Sequence, residues 1–471
     1  MDGGTARPVR APDEEAAGEL TGTDADPTAP AGDQLAHAAG AGSAPTAAPP
    51  RRTLLGALRR AAVDVRPLRH ADFRRLWMGN GVSLIGFQLT AVAVPVQVYS
   101  VTRSSFWVGM IGIVGLVPLI VFGLWGGAIA DAVDRRKLLL VSSVMVWLCT
   151  VALFVQALLH LDNLPLILVL VALQSAGFAV SSPTRGAIIP RLLPRELVPA
   201  ANTLNFTASN VGLVAGPLLA GVVIARWSFA AAYAVDALLF GVALYATLRL
   251  PPLPPLGETS RPGLRSVVDG LAFIATRPVL LLSFAVDIVA MVFAMPRALF
   301  PEAADVRFGG GGDAVGWLFA AIAIGAVVGG VFSGWIGRVR RQGVALVTAI
   351  VAWGLAVAAA GLVHALWAAV ALLAVAGAAD LVSAVYRQTI LQVYAPDEMR
   401  GRMQGVFIVV VAGGPRLGDL RAGATASVAG MTASWVGGGL ACAAVVVVVA
   451  LVFRQLVNYD ASVSPAPAPR P

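Results

Sequence analysis

Residues 126–137 read Gly126-Gly-Ala-Ile-Ala-Asp131-Ala-Val-Asp134-Arg-Arg-Lys137 and join two long apolar runs. Gly126, Gly127 and the alanines suit a turn in which two helices nearly touch. Asp131 falls at the end of the first run, and Arg135, Arg136 and Lys137 open the second. A carboxylate facing a cationic cluster forms a charge-assisted latch, which can pair differently in two conformations. A loop that only sets topology needs the basic residues. It does not need a glycine pair with an acid at fixed spacing, so Gly127, Asp131, Arg135, Arg136 and Lys137 are read as a latch.

The surrounding chain decides the class. Of its 471 residues 58% are hydrophobic and 13% charged, and the mean hydropathy is +0.79. A water-soluble domain carries about a quarter charged residues. The apolar residues also come in runs of about 20, the length that crosses roughly 30 Å of hydrocarbon. The net charge of +8 sits in short segments between those runs, which speaks for membrane loops and against a nucleic-acid groove. Cys149 and Cys442 stand alone in apolar runs, and His37, His70, His160 and His364 are isolated. Neither a disulfide framework nor a metal site is expected, and no cofactor.

Twelve apolar runs lie near 77–100, 106–130, 138–159, 164–184, 200–225, 228–249, 278–300, 314–336, 343–363, 365–386, 403–425 and 429–453. The expected fold class is an all-α membrane protein of twelve transmembrane helices in two six-helix bundles. Glycines such as Gly109, Gly112, Gly115 and Gly123 suit close helix contacts in lipid. Basic residues alternate in the connections. The side shared with the N-terminus holds ten Arg before the first run and sixteen basic residues in five loops, Arg185 and Arg387 counted among them. The other side holds Arg103, Arg226 and Arg307, with Arg297 at a helix end. The positive-inside rule then predicts a multi-pass protein of the inner membrane with both termini cytoplasmic.

The domain reading follows from composition. Residues 1–50 are poor in large apolar side chains and are expected to be disordered; no signal peptide is read there. Residues 51–76 form a basic juxtamembrane segment, either a positive-inside anchor or an amphipathic surface helix. The bundles are expected at 77–249 and 278–454, separated by a Pro-rich cytoplasmic loop at 250–277, with a disordered tail at 455–471. A shift of 202 residues maps Pro194-Arg-Glu196 onto Pro396-Asp-Glu398, and Gly212, Gly216 and Gly221 onto Gly414, Gly418 and Gly423. The two bundles are thus pseudo-symmetric, as internal repeats in secondary transporters are.

The 126–137 segment resembles the signature loop of the major facilitator superfamily, where a Gly, an Asp and a basic cluster recur. Asp134 departs from it, since the family usually has a second Gly there. The counterpart at Gly334-Trp-Ile-Gly-Arg-Val-Arg-Arg341 keeps the basic residues without the acid. Gly212-Leu-Val-Ala-Gly216-Pro217-Leu-Leu-Ala-Gly221 is similar to the Gly-Pro motif of the superfamily's antiporters. Pro217 removes a backbone hydrogen bond and the glycines admit a close neighbour; a plain packing kink is the alternative. Ala93-Val-Pro-Val-Gln97, Arg297-Ala-Leu-Phe-Pro301 and Thr389-Ile-Leu-Gln392 resemble the siderophore-exporter branch, to which macrolide efflux proteins are related. The resemblance implies alternating access, coupling to protons, and export of a siderophore, an antibiotic or another amphiphile.

Charged groups inside lipid are costly and mark function by default. Asp287 falls mid-run in the seventh span, where transporter sites lie. Asp380, Asp236, Arg416, Asp419 and Arg297 are further pathway candidates, with Arg416 and Asp419 spaced to share one face. Each acid has a structural alternative, a hydrogen bond between helices. Gln88, Gln97, Asn205 and Asn210 could touch substrate, although buried amides often only bridge helices. Lys137 is the only lysine, and no Gly-x-x-x-x-Gly-Lys loop surrounds it, so no ATP site is expected. The partners expected are a small-molecule substrate, protons and the bilayer, with the chain acting as a monomer. An uptake symporter of the same fold is the alternative. A membrane enzyme lacks clustered catalytic residues here, and a scaffold or sensor lacks an appended domain.

Overall fold

A chain that crosses hydrocarbon must satisfy its backbone hydrogen bonds internally, and the apolar runs do so as long helices. The computed structural model describes residues 64–253, 271–394 and 400–460, and the side chains of all of these except 124–132, 187, 400–402, 404–406, 408 and 409. The two tails through 63 and from 461, most of the 250–277 loop and the Pro396-Asp397-Glu398 string lie outside the described residues. So do the side chains of Gly127 and Asp131.

The long helices are α1 (Ala71–Thr102), α2 (Ser105–Ala132), α3 (Arg135–Leu158), α4 (Leu164–Leu192), α5 (Val198–Arg226) and α6 (Phe229–Leu248). They continue as α7 (Pro278–Ala294), α8 (Gly312–Val331), α9 (Gln342–Ala360), α10 (Leu366–Tyr394), α11 (Arg400–Ala429) and α12 (Met431–Val452). No strand occurs among the described residues. Eleven spans among them are long and apolar enough to cross a membrane. The remaining helix, α11, has the length but is interrupted by Arg416, Asp419 and Arg421. Helix starts carry the capping residues their sequence offers. Asp134 accepts from the amides of Arg136 and Lys137, Asn163 from Leu166 and Ser228 from Ala231.

Two expectations need correction. The sequence places the fourth and tenth runs near 164–184 and 365–386, with Arg185 and Arg387 in the loops that follow. Both helices run on: α4 to Leu192 and α10 to Tyr394. Arg185 and Arg387 therefore belong to helices and not to loops. Each can do so because it has an internal partner: Arg185 reaches Asn80 of α1, and Arg387 reaches two aspartates. The seventh span is also not one helix. It breaks after Ala294, passes through a 3-10 turn at Arg297–Leu299, and resumes as a short helix, Phe300–Val306. Pro296, without an amide hydrogen, stands at the break.

Packing repeats with the sequence. α1 packs on α5 and α6, α2 on α4, and α3 on α4 and α6. Shifted by six, α7 packs on α11 and α12, α8 on α10, and α9 on α10 and α12. The two sets meet along α2–α11 and α5–α8, which obey the same shift. In lipid no hydrophobic force drives helices together, so close contact between small residues has to hold these seams. A Cβ on Gly316 would lie 2.7 Å from the Pro217 carbonyl and 2.9 Å from Gly221 Cα. A Cβ on Gly112 would lie 2.9 Å from the Arg416 carbonyl, and Gly423 faces the Ser105 carbonyl more closely still. These contacts gather toward the end where α1 turns into α2. There Arg103 and Asp305 form an ion pair at 2.6 Å, and the Ser105 hydroxyl donates to Glu302.

Candidate functional site

Between the two sets of helices lies a cavity of about 840 Å³. Its two walls differ in chemistry. The α1–α6 wall offers Phe87, Gln88, Thr90, Gln174, Phe178 and Pro217 among apolar neighbours, and no charge among the described residues. Phe87 and Phe178 stack with centroids 5.5 Å apart and planes 13° from parallel. Among the described residues, every charged lining residue comes from the α7–α12 side: Asp287, Arg297, Asp380, Arg387, Arg416 and Asp419. Three cations face three anions, so the wall is strongly polar with no net charge.

The two most buried of these groups pair, and Asp380 beside them completes a triad. Arg387 of α10 pairs through one guanidinium nitrogen with Asp287 of α7, and its other terminal nitrogen lies 3.6 Å from Asp380. Asp287 is 2% exposed and Arg387 5%, so neither is solvated by bulk water and each depends on the other. Asp380 and Arg387 sit two turns apart on one helix face, which turns both toward the cavity.

The second group surrounds the break in the seventh span. A broken helix leaves carbonyls without amide partners. Arg421 of α11 takes them, donating to the Val292 carbonyl at 3.1 Å and to that of Phe293, and to Ser434 of α12 at 3.2 Å. On the far side of the break the Asp419 carboxylate accepts from the Ala298 amide at 3.2 Å. The charges that make α11 the least apolar long helix are therefore what the break requires. Arg297 sits in the break and points into the cavity, with Asp380 and Asp419 within electrostatic range. Arg416 donates to the Ala412 carbonyl of its own helix at 3.0 Å.

The sequence candidates divide accordingly. Asp287, Arg297, Asp380, Arg416, Asp419 and Gln88 line the cavity. Asp236 and Gln97 do not, and the expectation that they face the pathway is corrected by their placement. Asp236 is held behind α1, where Thr90 donates to it at 2.5 Å, so Thr90 reaches the cavity in its stead. Gln97 exchanges two hydrogen bonds with Gln156 and accepts a third from Tyr233, a bridge among α1, α3 and α6. Asn210 donates to the Phe206 carbonyl of its own helix.

In the Gly-Pro motif Gly212 meets Leu84 and Gly216 meets Gln88, both on α1, while Gly221 meets α8. Pro217 lies between these contacts on the cavity wall. In the signature loop, Asp134 does more than cap α3. Its second carboxylate oxygen accepts from the Leu253 amide at 3.2 Å, and Arg136 donates to the Leu248 carbonyl at 2.6 Å. The loop is thereby tied to the chain leaving α6. Sequence reasoning missed Arg387, Thr90 and Arg421. The seven-residue spacing of Asp380 and Arg387 was the signal available for the first.

A family model described as transmembrane secretion effector matches residues 62–470. The enterobactin exporter EntS of Escherichia coli (strain K12) is 27% identical over 392 residues, covering 83% of this chain and 94% of that protein. Its counterpart in Shigella boydii is 28% identical over 351 residues, 74% of this chain and 84% of the relative. Among solved structures, a bacterial homolog of the human lysosomal transporter Spinster, inward-facing and unoccupied, superposes with a TM-score of 0.65 at 17% identity, over 86% of this chain and 100% of that one. The nucleoside transporter NupG gives 0.63 at 14% identity, over 83% and 100%. The two solved structures share the fold.

Proposed function

The chain belongs to the transmembrane secretion effector family of the major facilitator superfamily, and from that premise we propose that it is a proton-coupled exporter of an amphiphilic small molecule. It is a multi-pass membrane transporter. The finer reading rests on one observation, the division of the cavity into an uncharged wall with a stacked phenylalanine pair and a wall of three arginines and three aspartates. A solute with an apolar or aromatic face and a polar, ionisable face matches both walls. A siderophore is such a molecule, and the enterobactin exporters are relatives. Other amphiphiles, antibiotics included, have the same two faces.

The Asp287–Arg387–Asp380 triad supplies the coupling. With both acids ionised it carries one negative charge, and one proton makes it neutral. In the cycle, substrate enters from the cytoplasm while the triad is charged. After the cavity opens outward, a proton arriving from the more acidic side neutralises the triad as substrate leaves. The return stroke releases the proton inside. The alternation of basic residues supports cytoplasmic termini, which puts the Arg103–Asp305 end outside and makes the described state inward-facing. The two six-helix units at 77–249 and 278–454 rock as one monomer about the cavity.

The experiment is a pH jump on proteoliposomes loaded with a fluorescent amphiphile or a ferric-free siderophore. Wild type accumulates solute uphill. Asp287→Asn, which mimics the protonated acid, keeps passive exchange and loses uphill movement. Wild-type uphill transport by that variant assigns Asp287 a structural role and ends this reading of the triad.

A further inference from the structure

A second pocket lies outside the transport cavity, on the lipid-facing side between α9 and α12, and measures about 440 Å³. Its size is within the roughly 300–1,000 Å³ of small-molecule sites. It is bounded at both ends by close helix contacts. Toward mid-membrane, a Cβ on Gly354 of α9 would lie 2.7 Å from the Gly439 carbonyl of α12, so the helices touch there. At the other end the short helix Arg454–Val457 folds over the start of α9. The Gly343 amide donates to the Tyr459 carbonyl at 3.3 Å, and the Leu456 carbonyl lies directly against Gly343. Leu456 and Tyr459 are buried, which fixes this turn in place.

The pocket wall between the two contacts is mostly aliphatic, with Val344, Val347, Val447, Ala450 and Leu451 and one hydroxyl, that of Thr348. Its rim is polar, with Arg454 and Asn458, and no acid lines it among the described residues. Arg454 makes no ion pair among the described residues. Arg338, Arg340 and Arg341 lie exposed on the connection entering α9 but outside the pocket lining, so the cation the pocket itself presents is Arg454. Bilayer lipid must fill an aliphatic pocket that opens on hydrocarbon. The rim decides which lipid, because a guanidinium pairs bidentately with a phosphate and a neighbouring amide adds a donor.

We propose that the α9–α12 pocket holds one anionic phospholipid, its acyl chain along Val347, Val447 and Ala450 and its phosphate at Arg454 and Asn458. The end of α12 is thereby tied to the bilayer surface while the bundles move.

The test is native mass spectrometry of the full-length protein released from nanodiscs of phosphatidylglycerol and phosphatidylcholine. Wild type retains one phosphatidylglycerol in preference to phosphatidylcholine. Arg454→Gln, at an exposed position that does not threaten folding, weakens that preference about fivefold, the worth of one basic residue at a membrane surface. Ala450→Trp fills the pocket and displaces the retained lipid of either class, while Arg341→Gln, outside the lining, leaves retention unchanged. Inorganic phosphate at millimolar concentration leaves the lipid in place. Equal retention by wild type and Arg454→Gln overturns the proposal. An equal loss with Arg341→Gln overturns it too, showing only diffuse surface charge, and displacement by phosphate shows an anion site that needs no lipid.

Discussion

Arg387 of α10 and Asp287 of α7 form a buried ion pair on the wall of the central cavity, and Asp380 shares the same guanidinium at 3.6 Å. Removing one partner of such a pair leaves an uncompensated charge out of water, a cost of about 3–5 kcal/mol. Arg387→Leu is therefore expected to lower the thermal stability of the purified protein strongly. Arg387→Leu with Asp287→Leu is expected to recover much of the loss, because the most buried acid is no longer stranded and Asp380, 34% exposed, keeps Arg297 in range. Melting curves of the two singles and the double form the cycle that separates pair from environment. Additive losses would mean that water or another group already solvates Asp287.

The signature loop carries two separable expectations. Asp134→Ala removes the cap of α3 and the acceptor of the Leu253 amide. A lost cap costs about 1 kcal/mol. Hydrogen exchange at Leu253 and at the first turn of α3 should quicken, with transport affected through stability alone. Asp131→Asn keeps size and loses charge. If Asp131 serves the latch, this variant inserts normally and cycles slowly. Unchanged transport at normal expression returns Asp131 to a marker of topology.

Much of this arrangement was legible in the sequence. The shift of 202 residues relates Gly212, Gly216 and Gly221 to Gly414, Gly418 and Gly423. The related glycines meet related neighbours. Gly212 and Gly216 pack on α1, while Gly414 and Gly418 pack on α7, the counterpart of α1. Gly221 faces α8, and Gly423 faces α2. A glycine needed for close approach leaves a trace in sequence because no other residue fits. Arg387 left no such trace. An arginine beside the end of an apolar run reads as a membrane edge, and only a partner on another helix turns it into a buried group. Asp236 misled for the mirror reason: its partner, Thr90, carries no charge and gives no signal. The α7 break was half visible, in Pro296 and Pro301, yet the arginine that satisfies its free carbonyls comes from α11, more than a hundred residues away.

Arg103 and Asp305 pair across the two bundles at 2.6 Å, with 66% and 43% of their side-chain surface exposed. An exposed pair contributes about 0–1 kcal/mol, too little to hold the fold and enough to bias two states. A change of about 1 kcal/mol moves a two-state ratio roughly fivefold. Arg103→Gln should leave the melting temperature unchanged and raise the fraction open at that end. Distances between spin labels on the α1–α2 and α7–α8 connections report that fraction. An unaltered distance distribution would mean that the seams alone set the balance.

Those seams give the last prediction. The α5–α8 seam closes where Gly316 meets Pro217 and Gly221, and the α2–α11 seam where Gly423 meets Ser105. The atoms that an added side chain would strike are backbone atoms of helices, so no rotamer change can make room. Gly316→Leu or Gly423→Leu is therefore expected to push the two bundles apart at this end. The fold within each bundle survives, since the substituted face meets only the other bundle. Met295→Cys, a buried position on the cavity wall, reports the change once Cys149 and Cys442 are replaced. A membrane-impermeant thiol reagent added on the Arg103–Asp305 side should label Met295→Cys slowly in the parent and quickly with Gly316→Leu or Gly423→Leu. Transport should fall in both, because the closed half of the cycle is lost. Continued protection at normal protein levels, in both glycine variants, would show that closure at this end does not depend on the two glycine seams.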